Sequence, residues 1–129
     1  MDYLVDTVAL VRHLRAARGL GFRARSILRQ ADRGQHRVFI SGVTLMEILY
    51  LSEKKRIPID LESVRNLLIE RDNYQVVPVG IDVVATAALI DDVPELHDRL
   101  IVATAKWLQI AILTNDPVIS ASKHVETIW

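Results

Sequence analysis

A mostly parallel β-sheet with helices on both faces is the fold this sequence predicts, and three observations lead there. Short apolar, β-rich runs alternate along the chain with longer segments whose apolar residues recur at helical spacing. Right-handed crossovers between parallel strands put such helices on the two faces of the sheet. The length of 129 residues, half of them hydrophobic and a quarter charged, suits one domain over 1–129 built around one core. Cysteine is absent, which excludes disulfide staples and thiolate metal sites and fits a reducing compartment.

Tyr3-Leu4-Val5 predicts a first strand that ends at Asp6. Val8, Leu10, Val11 and Leu14 then mark a helix over Thr7 to Ala17, which Gly19 and Gly21 break. A second amphipathic helix runs through Ser26-Ile27-Leu28 as far as Gly34. Val38-Phe39-Ile40 is the next strand, and it passes through Ser41-Gly42 into helix formers from Thr44 to Leu49. Asp60 stands ahead of Leu61, Val64, Leu67 and Leu68, as an N-cap stands ahead of an apolar helical stripe. Tyr74 to Val79 predicts a strand, and Ile81 to Ile90 and His97 to Gln109 predict helices. Ile110 to Leu113 is a buried strand ending in Thr114-Asn115-Asp116-Pro117, and Val125 to Trp129 is read as an edge strand.

No apolar run approaches the roughly 18 residues of a membrane span. Met1-Asp2-Tyr3 also lacks a basic region leading into a long apolar stretch, so a soluble, cytoplasmic protein without membrane association is expected. Sixteen basic and sixteen acidic residues give zero net charge, which argues against holding nucleic acid by bulk electrostatics alone. The charges are unevenly placed, however. Eight of the sixteen basic residues are arginines between Arg12 and Arg37, with Asp32 the only acid among them, so a neutral chain carries a local basic surface.

Three carboxylates interrupt apolar or neutral stretches. Asp6 is the only charge from Tyr3 through Val11, Glu47 the only one from Val38 through Leu51, and Asp116 the only one from Trp107 through Ser122. A buried carboxylate needs a hydrogen-bonded partner, a solvated crevice or a cation. Asp6 and Asp116 sit where apolar strands run out, and Glu47 lies near the start of a helix that follows a strand. All three therefore fall at the carboxyl end of the sheet, where open parallel sheets bind ligands. Asp98, at the start of the helix leading to the last buried strand, is the fourth candidate. Four converging carboxylates repel and raise one another's pKa unless a divalent cation neutralises them, and oxygen-only ligation selects Mg²⁺ or Mn²⁺ over zinc. Metal-assisted phosphodiester hydrolysis is the chemistry that follows. Each acid also has a structural reading. Asp6 and Asp98 can cap helices beginning at Thr7 and Arg99, Asp116 before Pro117 makes a good turn, and Glu47 can pair with an arginine. Taken singly, the structural reading leads; the joint placement is what favours a site.

Leu4-Val5-Asp6-Thr7, the run from Ser41 through Glu47 to Ile48, the run from Leu96 through Asp98 to Ala105, and Leu113-Thr114-Asn115-Asp116 follow one another in an order and spacing that resembles the PIN-domain family. Within it, the chain is similar to the single-domain VapC-like toxins over essentially its whole length. The resemblance implies a three-layer α/β/α sandwich and a metal-dependent ribonuclease whose acidic quartet, Asp6, Glu47, Asp98 and Asp116, holds Mg²⁺ or Mn²⁺. It also implies attack of metal-bound water on RNA, leaving a 5′-phosphate and a 3′-hydroxyl. Thr7, Thr114 and Asn115 match small polar positions beside the acids and would orient water or a phosphate oxygen. Arg12 and Arg15 belong to an arginine-rich helical pair that would track an RNA backbone, on a face that in VapC-like proteins would also receive an antitoxin segment. A cognate antitoxin and a homodimer are the partners the resemblance implies.

Competing functions differ in what they require. A PIN-like nuclease of RNA processing would use the same site chemistry, and a degenerate PIN fold serving as a binding module would not need the full quartet. A receiver-like signalling domain also sets an aspartate at a strand end and binds Mg²⁺. That mechanism wants acids clustered after the first strand and a lysine at a late strand, whereas Asp6 stands alone and the last buried strand leads to Thr114-Asn115-Asp116. His13, His36 and His124 lack metal-ligand spacing, and His97 is not needed for the metal chemistry. Arg99 would meet either a phosphate or a carboxylate, and Trp107 and Trp129 read as core or interface residues among only seven aromatics.

Overall fold

Five parallel strands form the centre of the molecule in a computed structural model that describes residues 1–129. In chain order the elements are β1 (Asp2–Val5), α1 (Thr7–Leu14), α2 (Phe22–Asp32), β2 (Arg37–Ser41), α3 (Gly42–Glu53), α4 (Leu61–Glu70) and β3 (Tyr74–Val77). They continue with α5 (Ile81–Ala87), α6 (Leu96–Leu108), β4 (Ala111–Leu113), α7 (Pro117–Ser120) and β5 (Thr127–Ile128). The sheet order is β3-β2-β1-β4-β5, and every pairing is parallel, so the expected mostly parallel sheet is parallel throughout.

Alternation along the strands divides the core in two. Tyr3, Val5, Val38, Ile40, Leu113 and Ile128 face α1, α2, α3 and α4, where Leu10, Leu28, Ile48 and Val64 are fully or almost fully buried against them. Leu4 and Ile112 point to the opposite face and pack against α5, α6 and α7 through Val83, Ile101, Val102 and Ile119. Both faces of β1 and β4 are thus covered, which is why these strands read as unbroken apolar runs.

The ends of several elements differ from expectation for local reasons. β3 stops at Val77 rather than Val79 because Pro78 has no N–H to give to a ladder. The first helix stops at Leu14, three residues early, and Ala16 turns the chain with φ of 51°. α5 ends at Ala87, short of Ile90. Ile110 lies outside β4; Gln109 adopts a left-handed conformation and the Ile110 N–H bonds back to the Ala105 carbonyl at 3.1 Å, finishing α6 instead. Asp116-Pro117, expected as a turn, opens the short helix α7 with Asp116 as N-cap and proline at the first position. Asp60 caps α4 as expected, with Ser63 returning a bond to the Asp60 N–H.

Candidate active site

The strand order reverses beside β1. From β1 the chain moves outward through β2 and β3, and it returns on the other side as β4 and β5. In parallel sheets the crevice at such a reversal, at the carboxyl ends of the strands, is where ligands bind. Asp6 follows β1 directly and Thr114 follows β4 directly, on either side of the reversal. Asp116 is two residues further on, Glu47 is in the second turn of α3 after β2, and Asp98 is the third residue of α6, which packs against α3.

Two threonines hold three of these acids, Asp6, Asp116 and Glu47; Asp98 takes no part in their bonds. Asp6 is buried; its Oδ1 accepts from the Ala9 N–H at 2.8 Å and its Oδ2 accepts a short hydrogen bond from the Thr114 hydroxyl. The same Thr114 oxygen accepts from the Asp116 N–H at 3.0 Å, so one side chain links β4, β1 and the entry to α7. Thr7 Oγ1 lies 2.8 Å from Glu47 Oε1 and 3.0 Å from Thr44 Oγ1. A hydroxyl has a single proton, so Thr7 donates to the carboxylate and accepts from Thr44. Thr44 is fully buried and was not singled out from sequence; its partner is 37 residues away, a distance that no local pattern reports.

Asp6 and Asp98 both sense the other acids of the site. Burial raises the pKa of Asp6, and Asp116 and Glu47 raise it further, against the lowering effect of the Thr114 and Ala9 hydrogen bonds. Asp98 is pushed up to about 6, first by burial and then by Asp116, Glu95, Glu47 and Asp6. Asp98 has no hydrogen-bond donor within the chain, and only one oxygen of Glu47 is engaged. Unshared oxygens, mutual repulsion and an oxygen-only donor set fit a hard divalent cation, which would relieve the repulsion.

The sequence matches the PIN domain over residues 3–123. This chain belongs to the PIN-domain family. No curated protein sequence matches it significantly. Solved structures share its fold along nearly the whole chain. A chain of VapBC2 from Rickettsia felis, bound to a DNA fragment from their promoter, superposes with a TM-score of 0.73 at 14% identity, covering 100% of this chain and 99% of that one. A chain of DNA-bound VapBC from Salmonella typhimurium gives 0.68 at 17% identity, covering 99% and 97%. FitAcB from Neisseria gonorrhoeae gives 0.67 at 19% identity, covering 98% and 96%.

Other residues singled out from sequence take varied places in this PIN domain. Glu95, not Asp98, caps α6, accepting from the Asp98 N–H at 2.8 Å, because the chain enters the helix at Leu96 rather than Arg99. That leaves the Asp98 side chain free of a capping duty. Glu47 pairs with Thr7 rather than with an arginine. Asn115 is exposed beside Asp116. Arg12 lies about 8 Å along the axis of α1 from Thr7, and its guanidinium donates to the Gly19 carbonyl at 2.8 Å; Arg15 follows the helix and is exposed. Arg99 forms no ion pair, and its Nε is buried without a partner. A cavity of about 430 Å³ opens beside Glu47, lined by Met46, Tyr50, Leu51 and His97.

Away from the crevice, Asp91, Asp92 and His124 bring three ligand-type atoms within 4.8 Å of one another. Their polar atoms are already engaged. His124 Nε2 is 2.8 Å from Asp91, and Asp92 accepts from the Ser122 hydroxyl at 2.8 Å and the Lys123 N–H at 2.9 Å. These bonds hold both aspartates below the usual carboxylate range and clasp the segment after α7 to the loop after α5.

Proposed function

We propose that this PIN domain is a metal-dependent endoribonuclease and the toxin of a type II toxin–antitoxin pair, with Asp6, Glu47, Asp98 and Asp116 holding Mg²⁺ or Mn²⁺. The observation that carries this reading is the gathering of Asp98 with three carboxylates isolated in the sequence, Asp6, Glu47 and Asp116, at the reversal of the strand order. Asp98 is raised first by burial and then by nearby acids that include all three of its quartet partners, an arrangement costly to the fold unless a cation offsets it. When bound, a divalent ion supplies Lewis acidity, which activates water and counters charge on a phosphoryl oxygen.

The residues of the chain provide position. Thr114 fixes the Asp6 carboxylate between β1 and β4, and Thr7, itself held by Thr44, fixes Glu47. Asn115 is at the exposed rim of the crevice, where its amide would meet a phosphate or a base. Arg12 and Arg15 would contact RNA further from the reacting bond. The hydrolysis breaks one P–O bond of the backbone, adds water across it and leaves a phosphate and a hydroxyl end.

A protein partner is supported by the surface next to the crevice. Leu45, Met46, Leu49, Leu61 and Leu68 line an apolar groove of about 320 Å³ between α3 and α4, adjoining the cavity beside Glu47 through Met46. An apolar segment of a cognate antitoxin would cover it, and solved complexes of VapBC and FitAcB share this fold. Ile81, Val84, Leu89 and Leu96 present an exposed apolar face around α5 that suits a homodimer. No helix is long and apolar enough to cross a membrane.

The deciding experiment incubates total cellular RNA with purified protein, free of any antitoxin, in Mg²⁺, Mn²⁺ or EDTA, beside an Asp6→Asn variant prepared identically. Cleavage that needs the metal and is lost in the variant is the expected result. Equal cleavage by the folded variant would refute the site. Absence of both cleavage and Mn²⁺ binding would favour the degenerate binding module instead.

A further inference from the structure

The arginine-rich segment becomes one continuous surface in the fold. Arg25 and Arg29, four residues apart, line a single face along α2 about 6 Å apart along the axis, and Arg33, the residue that caps the helix, continues the row at its C-terminal end. Phe22, three residues before Arg25, begins the same face with 79% of its surface exposed. Arg25 and Arg29 form a ridge between two clefts. One, of about 410 Å³, is shared with Arg12 and Arg18, and the other, of about 240 Å³, with Phe22 and Arg33.

This positive charge has no counterpart within the chain. None of these five arginines forms an ion pair, although the chain as a whole is neutral. The one acid lining either cleft, Asp32, is already engaged by His13 Nε2 at 3.0 Å, by the Tyr74 hydroxyl at 2.8 Å and by Arg71. A run of unneutralised arginine forks fits a polyanion whose charges repeat along a chain, and guanidinium matches phosphate geometry closely. The exposed phenyl ring at the head of the row offers an unstacked base a platform.

The ends of α2 orient this surface relative to the carboxylates. Gly21, just before Phe22, packs so closely on Trp129 that an added Cβ would stand 2.3 Å from the Trp129 carbonyl carbon. Trp129 follows β5, whose Ile128 carbonyl accepts from the Thr114 N–H at 3.1 Å. Phe22 therefore lies at the carboxyl edge of the sheet, the edge that carries Asp6 and Thr114. At the other end, Asp32 bonds to Tyr74, the first residue of β3, at the amino edge. The row thus starts on the side of the catalytic crevice and leads away from it.

We infer that Phe22, Arg25, Arg29 and Arg33 form an exosite for single-stranded RNA that holds nucleotides flanking the cleaved bond. The choice of RNA rests on the nuclease reading above; the exosite itself rests on the unpaired arginines and the exposed ring. The test measures anisotropy of a fluorescein-labelled 12-nucleotide oligouridylate in EDTA across NaCl concentrations. It compares the wild type, Phe22→Ala and the triple variant Arg25→Gln, Arg29→Gln, Arg33→Gln, all at exposed positions whose change leaves the core intact. A polyglutamate peptide of equal length is the competitor.

The triple variant is expected to flatten the slope of log affinity against log salt by about 2, at about 0.7 per phosphate contact on a single strand. Phe22→Ala is expected to weaken binding roughly tenfold with the slope unchanged. An unchanged slope in the triple variant overturns the inference. So does polyglutamate that binds as tightly as RNA with no sensitivity to Phe22→Ala, which would give the surface to an acidic protein segment. Metal-dependent cleavage of total RNA by the wild type is measured in parallel. Its absence together with absence of Mn²⁺ binding refutes the nuclease reading while the binding data still decide the exosite.

Discussion

Replacing Thr114 by valine keeps the shape of the side chain and removes the hydroxyl that joins three parts of the site. Asp6, 6% exposed, then loses the donor to its Oδ2, and the Asp116 N–H loses its acceptor. A hydrogen bond to a charged group contributes about 1.5–3 kcal/mol and one between neutral groups about 1, so the combined cost is about 3 kcal/mol. Unfolding entropy of about 2.1 cal/mol/K per residue, taken over this chain, is about 0.27 kcal/mol/K, which converts that loss to a fall in Tm of about 11 °C. The assay is thermal unfolding followed by circular dichroism at pH 7.5 in EDTA, which keeps ion binding from masking the effect. Thr114→Ser, which restores the hydroxyl, should recover most of the loss. A Thr114→Val protein that melts within about 2 °C of the wild type, or a serine variant no better than valine, would refute the role given to this hydroxyl.

Two further predictions use the charge and the packing of the fold. Asp98 binds protons more readily in the folded protein than in the unfolded chain, since its pKa is raised from 3.8 to about 6. Its contribution to stability is therefore present below 3.8 and is lost as pH rises through about 6. In EDTA, Asp98→Asn should match the wild type near pH 4. At pH 7.5 it should melt higher, by about 4 °C once solvent screening of this part-exposed group is allowed for, while metal-dependent cleavage is lost. A variant equally stable at both pH values relative to the wild type would remove the evidence for repulsion. Gly21→Ala would place a Cβ 2.3 Å from the Trp129 carbonyl carbon and 2.5 Å from its Cδ1, so both the backbone and the ring of Trp129 must move. A fall in Tm of roughly 4–10 °C with a red shift of tryptophan emission is expected, and an unperturbed spectrum would deny the contact between α2 and the C-terminal residue.

The parts of the fold that were legible in the sequence are those decided within a few residues. The run Tyr3-Leu4-Val5 is buried on both faces of β1 and so reads as uninterrupted apolar sequence, and Asp60 announces α4 by local cap chemistry. Asp6, Glu47 and Asp116 stood out because a single charge in an apolar stretch needs a reason. What stayed hidden depends on partners distant in the chain. The strand order follows from the whole set of pairings, and the role of Thr44 appears only once α3 meets Thr7. Local signals were ambiguous elsewhere. Asp116-Pro117 begins a turn and a helix equally well, and both Glu95 and Asp98 are acceptable caps for α6 until the chain is seen to enter at Leu96. The second helix is marked in the sequence by Ser26-Ile27-Leu28, but its start at Phe22 carries no local signal, since the Gly21 cap makes no side-chain bond and the buried side is Ala24, Leu28 and Ala31.

The acids of the quartet divide by structural duty, and this governs how the site must be tested. Asp6 caps α1 through the Ala9 N–H, and Asp116 caps α7 through the N–H groups of Val118 and Ile119. Glu47 lies within α3 and Asp98 follows the Glu95 cap, so neither of these two holds a helix end. Asparagine caps about as well as aspartate, whereas alanine forfeits about 1 kcal/mol or more. Asp6→Ala should therefore melt about 4 °C or more below Asp6→Asn. Both variants lack the charge, so this comparison isolates the cap from the repulsion that burial and neighbouring acids impose. The pair Asp98→Ala and Asp98→Asn should melt together, because no donor faces that carboxylate. Cleavage should be lost in all four variants, since the ion requires charge that neither replacement supplies. If Asp6→Ala were as stable as Asp6→Asn, the 2.8 Å bond to Ala9 would carry no weight, and loss of activity in Asp6→Ala could be assigned to chemistry without further control.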